Sequence, residues 1–198
     1  MRITFLSAIC AALLALGAGC ESQDHDHDAA HAENESGSGA HKNMWESVKK
    51  AVCAVYPTEG NDCRGTIRFE DTAEGVKVTA DITGLKPNAK HGFHIHEWGD
   101  CTGPDGKTTG GHYNPEGHDH AGPAADKRHA GDMGNLEADG EGKARYEMTL
   151  KNMTVAGMKN PIIGRGVIIH AGEDDLKSQP TGAAGDRIGC GVIGIAKP

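Results

Sequence analysis

The chain has 198 residues, room for one domain with appendages. Lys and Arg total 20 against 28 Asp and Glu, and the formal charge of −8 argues against a nucleic-acid partner. Aromatic residues make up only 4% while glycines number 29, a balance that suits short strands and tight turns rather than helices.

Met1 and Arg2, followed by the apolar run 3–16, read as an export signal to be left out of the fold. The run closes in Leu16-Gly17-Ala18-Gly19-Cys20, which is similar to a bacterial lipoprotein cleavage box. We expect residues 1–19 to be removed, with Cys20 as lipid acceptor; simple export is the alternative. A lipidated end would tether the chain to a membrane without crossing it. Past this segment nothing is apolar enough to span a bilayer. The mature chain is therefore expected outside the cytosol, in the periplasm or cell envelope. Residues 20–44 are rich in His, Asp, Glu and Ser, too polar to build a core, and read as a disordered tether. His25, His27, His31 and His41 lie on it, either as passengers of a soluble linker or as a metal-gathering arm.

From Trp45 onward the pattern changes, and we take 45–198 as the folded domain. Segments 48–56 and 64–70 flank Pro57-Thr58-Glu59-Gly60-Asn61, a turn-rich joint, and predict a hairpin. Val76, Val78, Ala80 and Ile82 alternate with Lys77, Thr79 and Asp81, as a half-buried strand requires. Ala144, Tyr146, Met148 and Leu150 repeat that alternation. Segments 167–171 and 190–196 are apolar enough for two further strands. Short strands with turn signals between them indicate an antiparallel barrel or sandwich. Two stretches, 99–128 and 172–189, exceed ordinary connections, and long ordered loops are usually functional.

Seven residues in or beside those loops have metal-ligand chemistry: His94, His96, His112, His120, His129, Asp132 and His170. Imidazole suits copper and zinc, and three His with one Asp make a closed tetrahedral zinc set. On a strand, His94 and His96 face one side while Phe93 and Ile95 face the other, so the pair can chelate outside a barrel that Phe93 and Ile95 plug.

The motifs Gly92-Phe93-His94-Ile95-His96-Glu97 with Gly99-Asp100, and Gly111-His112-Tyr113-Asn114-Pro115, carry a family likeness. So do Arg128-His129-Ala130-Gly131-Asp132-Met133-Gly134-Asn135 and Gly185-Asp186-Arg187-Ile188-Gly189-Cys190-Gly191-Val192-Ile193-Gly194. Over residues 51–198 the chain resembles the copper/zinc superoxide dismutases. The resemblance implies an eight-stranded antiparallel Greek-key barrel, a flattened immunoglobulin-like sandwich, with two long functional loops. It implies copper on His94, His96, His112 and His170, and zinc on His112, His120, His129 and Asp132, with His112 shared. Asp174 would link His94 to His120, and His91 would serve the scaffold. His120 rather than His118 keeps the family's spacing to Pro123 and His129, leaving His118 exposed. Arg187 would sit over copper and draw in the superoxide anion, and His112 would deliver a proton. Lys177 is a further candidate for steering.

The implied activity is disproportionation of superoxide to O₂ and H₂O₂, protecting the cell envelope. The competing reading is a non-catalytic copper/zinc carrier on the same scaffold, which the presence of His112, His170 and Arg187 disfavours. The resemblance also implies a disulfide between Cys101 and Cys190. Cys53 and Cys63 flank the hairpin turn and either pair with each other or stay as buried thiols. The C-terminal run from Cys190 to Ala196 looks like that of dimeric eukaryotic members, so a homodimer built on the last strand is expected.

Overall fold

The structure, a computed structural model, describes Trp45 and residues 47–197. The expected signal segment, Cys20 and the tether with its four histidines lie outside the described residues.

Eight strands follow in chain order: β1 (Lys50–Pro57), β2 (Arg64–Thr72), β3 (Gly75–Thr83), β4 (Lys90–His96), β5 (Asp132–Glu137), β6 (Ala144–Leu150), β7 (Gly166–His170) and β8 (Arg187–Ile195). The ladders between them are all antiparallel, in the order β5-β4-β7-β8-β1-β2-β3-β6. Strand β3 pairs with β6 rather than with β4, so the chain crosses the barrel end in the Greek-key manner. The ring is nearly closed. At the remaining seam, between β5 and β6, the Tyr146 hydroxyl donates to the Met133 carbonyl at 2.7 Å.

Alternation explains the β1–β2–β3–β6 side. In β3, Val76, Val78, Ala80 and Ile82 are buried while Asp81 and Thr83 are exposed. The outer face carries pairs such as Lys77–Glu147 at 3.0 Å and Arg145–Asp81 at 3.3 Å, each worth less than about 1 kcal/mol. Strands β4 and β7 behave differently: six consecutive residues of β4, and all five of β7, are buried. Their outer face is covered by the long loops, so its side chains, His94, His96 and His170 with Ile168, are shielded from water rather than solvated. Phe93 and Ile95 point into the barrel, Phe93 meeting Tyr146 edge-on with centroids 5.2 Å apart. Burying each such side chain contributes roughly 1.5–3 kcal/mol.

The disulfide Cys101–Cys190 is formed and ties the first long loop to β8, with Cα atoms 5.9 Å apart. Closing a loop of sequence separation 89 corresponds, on chain entropy alone, to roughly 4–5 kcal/mol. Cys53 and Cys63 do not pair; both are free and buried, and burial pushes each thiol up to about 12. Their register forbids a bond. Cys53 stands opposite Ile67, four residues along the chain from Cys63, a span of about 13 Å. A disulfide needs Cα atoms within about 7 Å.

Candidate metal centre

Three strands and two loops converge on the centre. Strand β4 supplies His94 and His96, β7 ends in His170, and β5 begins at Asp132. The first loop brings His112, His120 and His129, and the second brings Asp174 and, at the start of β8, Arg187. The His96–His112 bridge and the paired backbones of Ile95, Tyr113 and Gly131 clamp the first loop onto β4.

The donor atoms form two sets that share one ring. His94, His96, His112 and His170 each offer an atom within 4.8 Å of the others, and so do His112, His120, His129 and Asp132. All seven residues are buried.

In the first set the hydrogen bonds fix which nitrogen is left bare. His96 Nδ1 donates to Gly110 O at 3.0 Å, and His170 Nδ1 to Gly185 O at 3.0 Å. His94 is reversed: its Nε2 meets Asp174 Oδ2 at 2.7 Å. What remains, His94 Nδ1 with Nε2 of His96, His112 and His170, is buried and without a hydrogen-bond partner. Buried polar atoms are nearly always satisfied, so four converging orphans mark a ligand position. Burial holds these imidazoles neutral, His94 down to about 3, His170 to about 4, and His96 well below its ordinary value. Neutral imidazole is the form that binds a metal.

The second set is closed. Asp132 Oδ1 lies 2.9 Å from His112 Nδ1, 3.0 Å from His120 Nδ1 and 3.3 Å from His129 Nδ1, and the His112 and His129 nitrogens are 3.4 Å apart. A tetrahedron with metal–ligand bonds of 2.0–2.1 Å has edges of about 3.3 Å. Burial alone would raise Asp132; its hydrogen bonds from three histidines outweigh that and hold it well below the usual carboxylate range. Burial would likewise lower His120, but its bonds to Asp132 and Asp174 hold it up at about 9. Asp174 joins the sets, its Oδ1 accepting from His120 Nε2 at 2.9 Å while Oδ2 meets His94. No β-carbon fits at residue 182, whose backbone passes against Asp174 and His120 with φ +67, so only glycine serves there.

One face of the first set opens to a cleft of about 570 Å³, lined by His96, His170, Lys107, Thr181, Asp186 and Arg187 among others. Arg187 is clamped: Nη1 donates to Gly106 O at 2.8 Å and Thr109 Oγ1 at 2.9 Å, and Nη2 to Gly110 O at 2.8 Å. Its own carbonyl accepts from Thr58 Oγ1 at 2.7 Å, so the β1–β2 turn fixes its backbone. Of the cleft's Lys and Arg side chains, Lys107 is 2.9 Å from Asp105, whereas Arg187 has no carboxylate within ion-pair distance among the described residues.

The family model described as copper/zinc superoxide dismutase matches residues 63–193. The chain belongs to the copper/zinc superoxide dismutase family. A relative, the Cu-Zn superoxide dismutase of Paramecium bursaria Chlorella virus 1, is 48% identical over 158 residues, 76% of this chain and 82% of its own. The crystal structure of the clock protein EA4 superposes with a TM-score of 0.68 at 39% identity, over 75% of this chain and 95% of that one. As a member of this family the chain is an oxidoreductase, and the family implies copper and zinc. The donor sets fit both: four orphan imidazole nitrogens for copper, three histidines and a carboxylate at tetrahedral spacing for zinc.

Several placements differ from the sequence reading. His118 is half-buried rather than exposed, its ring nitrogen 3.3 Å from Arg128 O and its backbone clamped by Asn114, but it joins neither donor set. Lys177 is exposed and absent from the cleft lining, where Lys107 stands instead. Two amides were not foreseen. Asn135 exchanges hydrogen bonds with the backbone of Asp174 at 2.8 and 2.9 Å, and Gln179 does the same for His120, both at 2.8 Å. Asn135 lies in a family motif and was open to notice; Gln179 sits in a loop whose sequence carries no signal.

Proposed function

We propose that this chain disproportionates superoxide to O₂ and H₂O₂ at copper held by His94, His96, His112 and His170, beside zinc held by His112, His120, His129 and Asp132. The four orphan nitrogens carry the reading. Copper, when bound, supplies a one-electron couple that takes an electron from one superoxide and returns it to a second, while zinc supplies charge without redox chemistry.

His112 presents Nδ1 to one set and Nε2 to the other, and only two adjacent cations make a ring bare at both nitrogens tolerable. Nε2 is then the atom at which the chain can hold a proton and give it to the second superoxide; water in the cleft provides the other. Arg187 supplies a fixed guanidinium at the cleft wall, which draws in a small anion although the chain as a whole is negative. Asp174 orients His94 and His120 together, and such carboxylates set tautomer and ring direction. The test is metal analysis of purified protein beside a cyanide-sensitive dismutase assay. One copper and one zinc per chain with cyanide-sensitive turnover is expected; bound metal without turnover would instead favour a carrier.

We place the mature chain in the cell envelope, on the strength of its first 19 residues and of a disulfide suited to an oxidising compartment. Mass spectrometry of the mature N-terminus should find lipid-modified Cys20; an intact Met1 would refute export. A homodimer built on β8 is supported by the exposed Val192, Tyr56 and Trp98, large apolar side chains that a partner would cover. A monomer at micromolar concentration in sedimentation would refute it.

A further inference from the structure

A pocket of about 400 Å³ shares no lining residue with the Arg187 cleft. It is walled by segment 123–126, Arg128, Thr149, Lys151, Asn152 and Lys159. Arg128 is only 4% exposed, yet among the described residues no carboxylate lies within ion-pair distance of it, Asp132 and Glu116 acting on it from farther off. Its Nε donates to Pro123 O at 3.2 Å and its Nη2 to Asn152 Oδ1 at 2.7 Å, both neutral acceptors, and no described residue accepts from Nη1. Arginine is almost never so buried without an anionic partner, because a charge removed from water must be compensated. Asn152 adds a second observation: its Nδ2 is buried and has no acceptor. One buried donor of this pocket's lining residues, Asn152 Nδ2, is thus left wanting an oxygen, beside a guanidinium whose Nη1 meets no described acceptor. Lys151 and Lys159, also in the lining, are exposed and make no ion pair among the described residues, and Asp126 is the one acid in the lining. Three cations face one carboxylate here, on a chain whose net charge is −8.

We propose that this pocket binds a small divalent oxyanion of the phosphate type, with Arg128 and Asn152 Nδ2 donating from its wall and Lys151 and Lys159 closing its rim. A guanidinium fork and an amide N–H match the oxygens of such an anion, and charge-assisted bonds of this kind are the strong ones. Bound there, the anion would supply the partner that Arg128 lacks.

The test is an NMR titration of the zinc-loaded, copper(I) protein, which is diamagnetic, with inorganic phosphate at constant ionic strength. Saturable shifts at residues 123–128, 149–152 and 159 are expected, and chloride at the same ionic strength should not reproduce them. Asn152→Asp puts a carboxylate against Arg128 and should abolish those shifts while leaving any at the Arg187 cleft and the dismutase rate unchanged. Lys151→Gln and Lys159→Gln should each weaken half-saturation by about two- to fivefold, the worth of one exposed charge pair. Shifts that never saturate, that chloride reproduces, or that survive both Asn152→Asp and the double lysine variant would overturn the proposal.

Discussion

The two donor sets meet at the His112 ring and are otherwise built on opposite principles. Three residues of the first set, His94, His96 and His170, stand on β4 and β7, and the two long loops fix their rings through Gly110 O, Gly185 O and Asp174. Three strand-borne nitrogens and the loop-borne Nε2 of His112 converge there without a hydrogen-bond partner. The second set takes its three histidines from the first loop, and their atoms gather around Oδ1 of Asp132, the first residue of β5, at 2.9–3.3 Å. One set is held neutral by burial and opens on a cleft; the other is charged, sealed and linked to the first by Asp174. The first set is thus mostly strand-borne with an open side, while the second is mostly loop-borne and anchored to the sheet by Asp132.

Removing the shared ring should break that arrangement most severely. For His112→Ala we expect turnover by pulse radiolysis to fall by about 10²–10⁴, the scale of a lost proton transfer. Metal analysis should show weakened binding in both sets, and wild-type turnover would mean that the sets do not communicate through this ring. Next in size is Arg187→Ala, which touches only the open side. Steering of this kind is worth about 10–10³ in on-rate, so kcat/KM should drop by at least tenfold and its dependence on ionic strength should flatten. Unchanged rate and unchanged salt dependence would remove the steering role.

The smallest effect separates the sets by pH in metal-stripped protein. His94, His96, His112 and His170 lie below the ordinary 6.5 in the fold, so the unfolded chain takes up their protons first. Stability should therefore fall as pH drops from about 6.5 toward 4. His120 runs the other way: raised to about 9, it contributes fully below 6.5, and that contribution is lost as pH rises through 9. Urea midpoints should peak near pH 6.5 and fall more steeply on the acid side, where four rings act against one. A midpoint still rising at pH 9 would contradict this assignment.

The sequence was most legible where one face of a strand meets water. The alternation of Val76 to Ile82 and of Ala144 to Leu150 announces β3 and β6, because a half-buried strand must alternate. Strand β5 did not announce itself, since Asp132, Gly134 and Asn135 break any alternation and Gly134 adopts φ 81. All seven ligand candidates were readable by residue type and family motif, and the structure brings all seven together. Their supports were harder to see. Gln179 reaches His120 across 59 positions and Thr58 reaches Arg187 across 129, contacts that depend on how loops pack rather than on any local pattern. The choice between a Cys53–Cys63 bond and two buried thiols, which the structure decides for the thiols, stayed open for a similar reason: proximity along the chain says nothing until strand register is known.

Anomalous diffraction at the copper and zinc edges, on crystals of the oxidised protein loaded with both metals, addresses the shared ring most directly. We predict copper on Nε2 of His112 and zinc on its Nδ1, each at about 2.0–2.1 Å. Density for a single ion at that ring, or a His112 turned away from either one, would contradict the account.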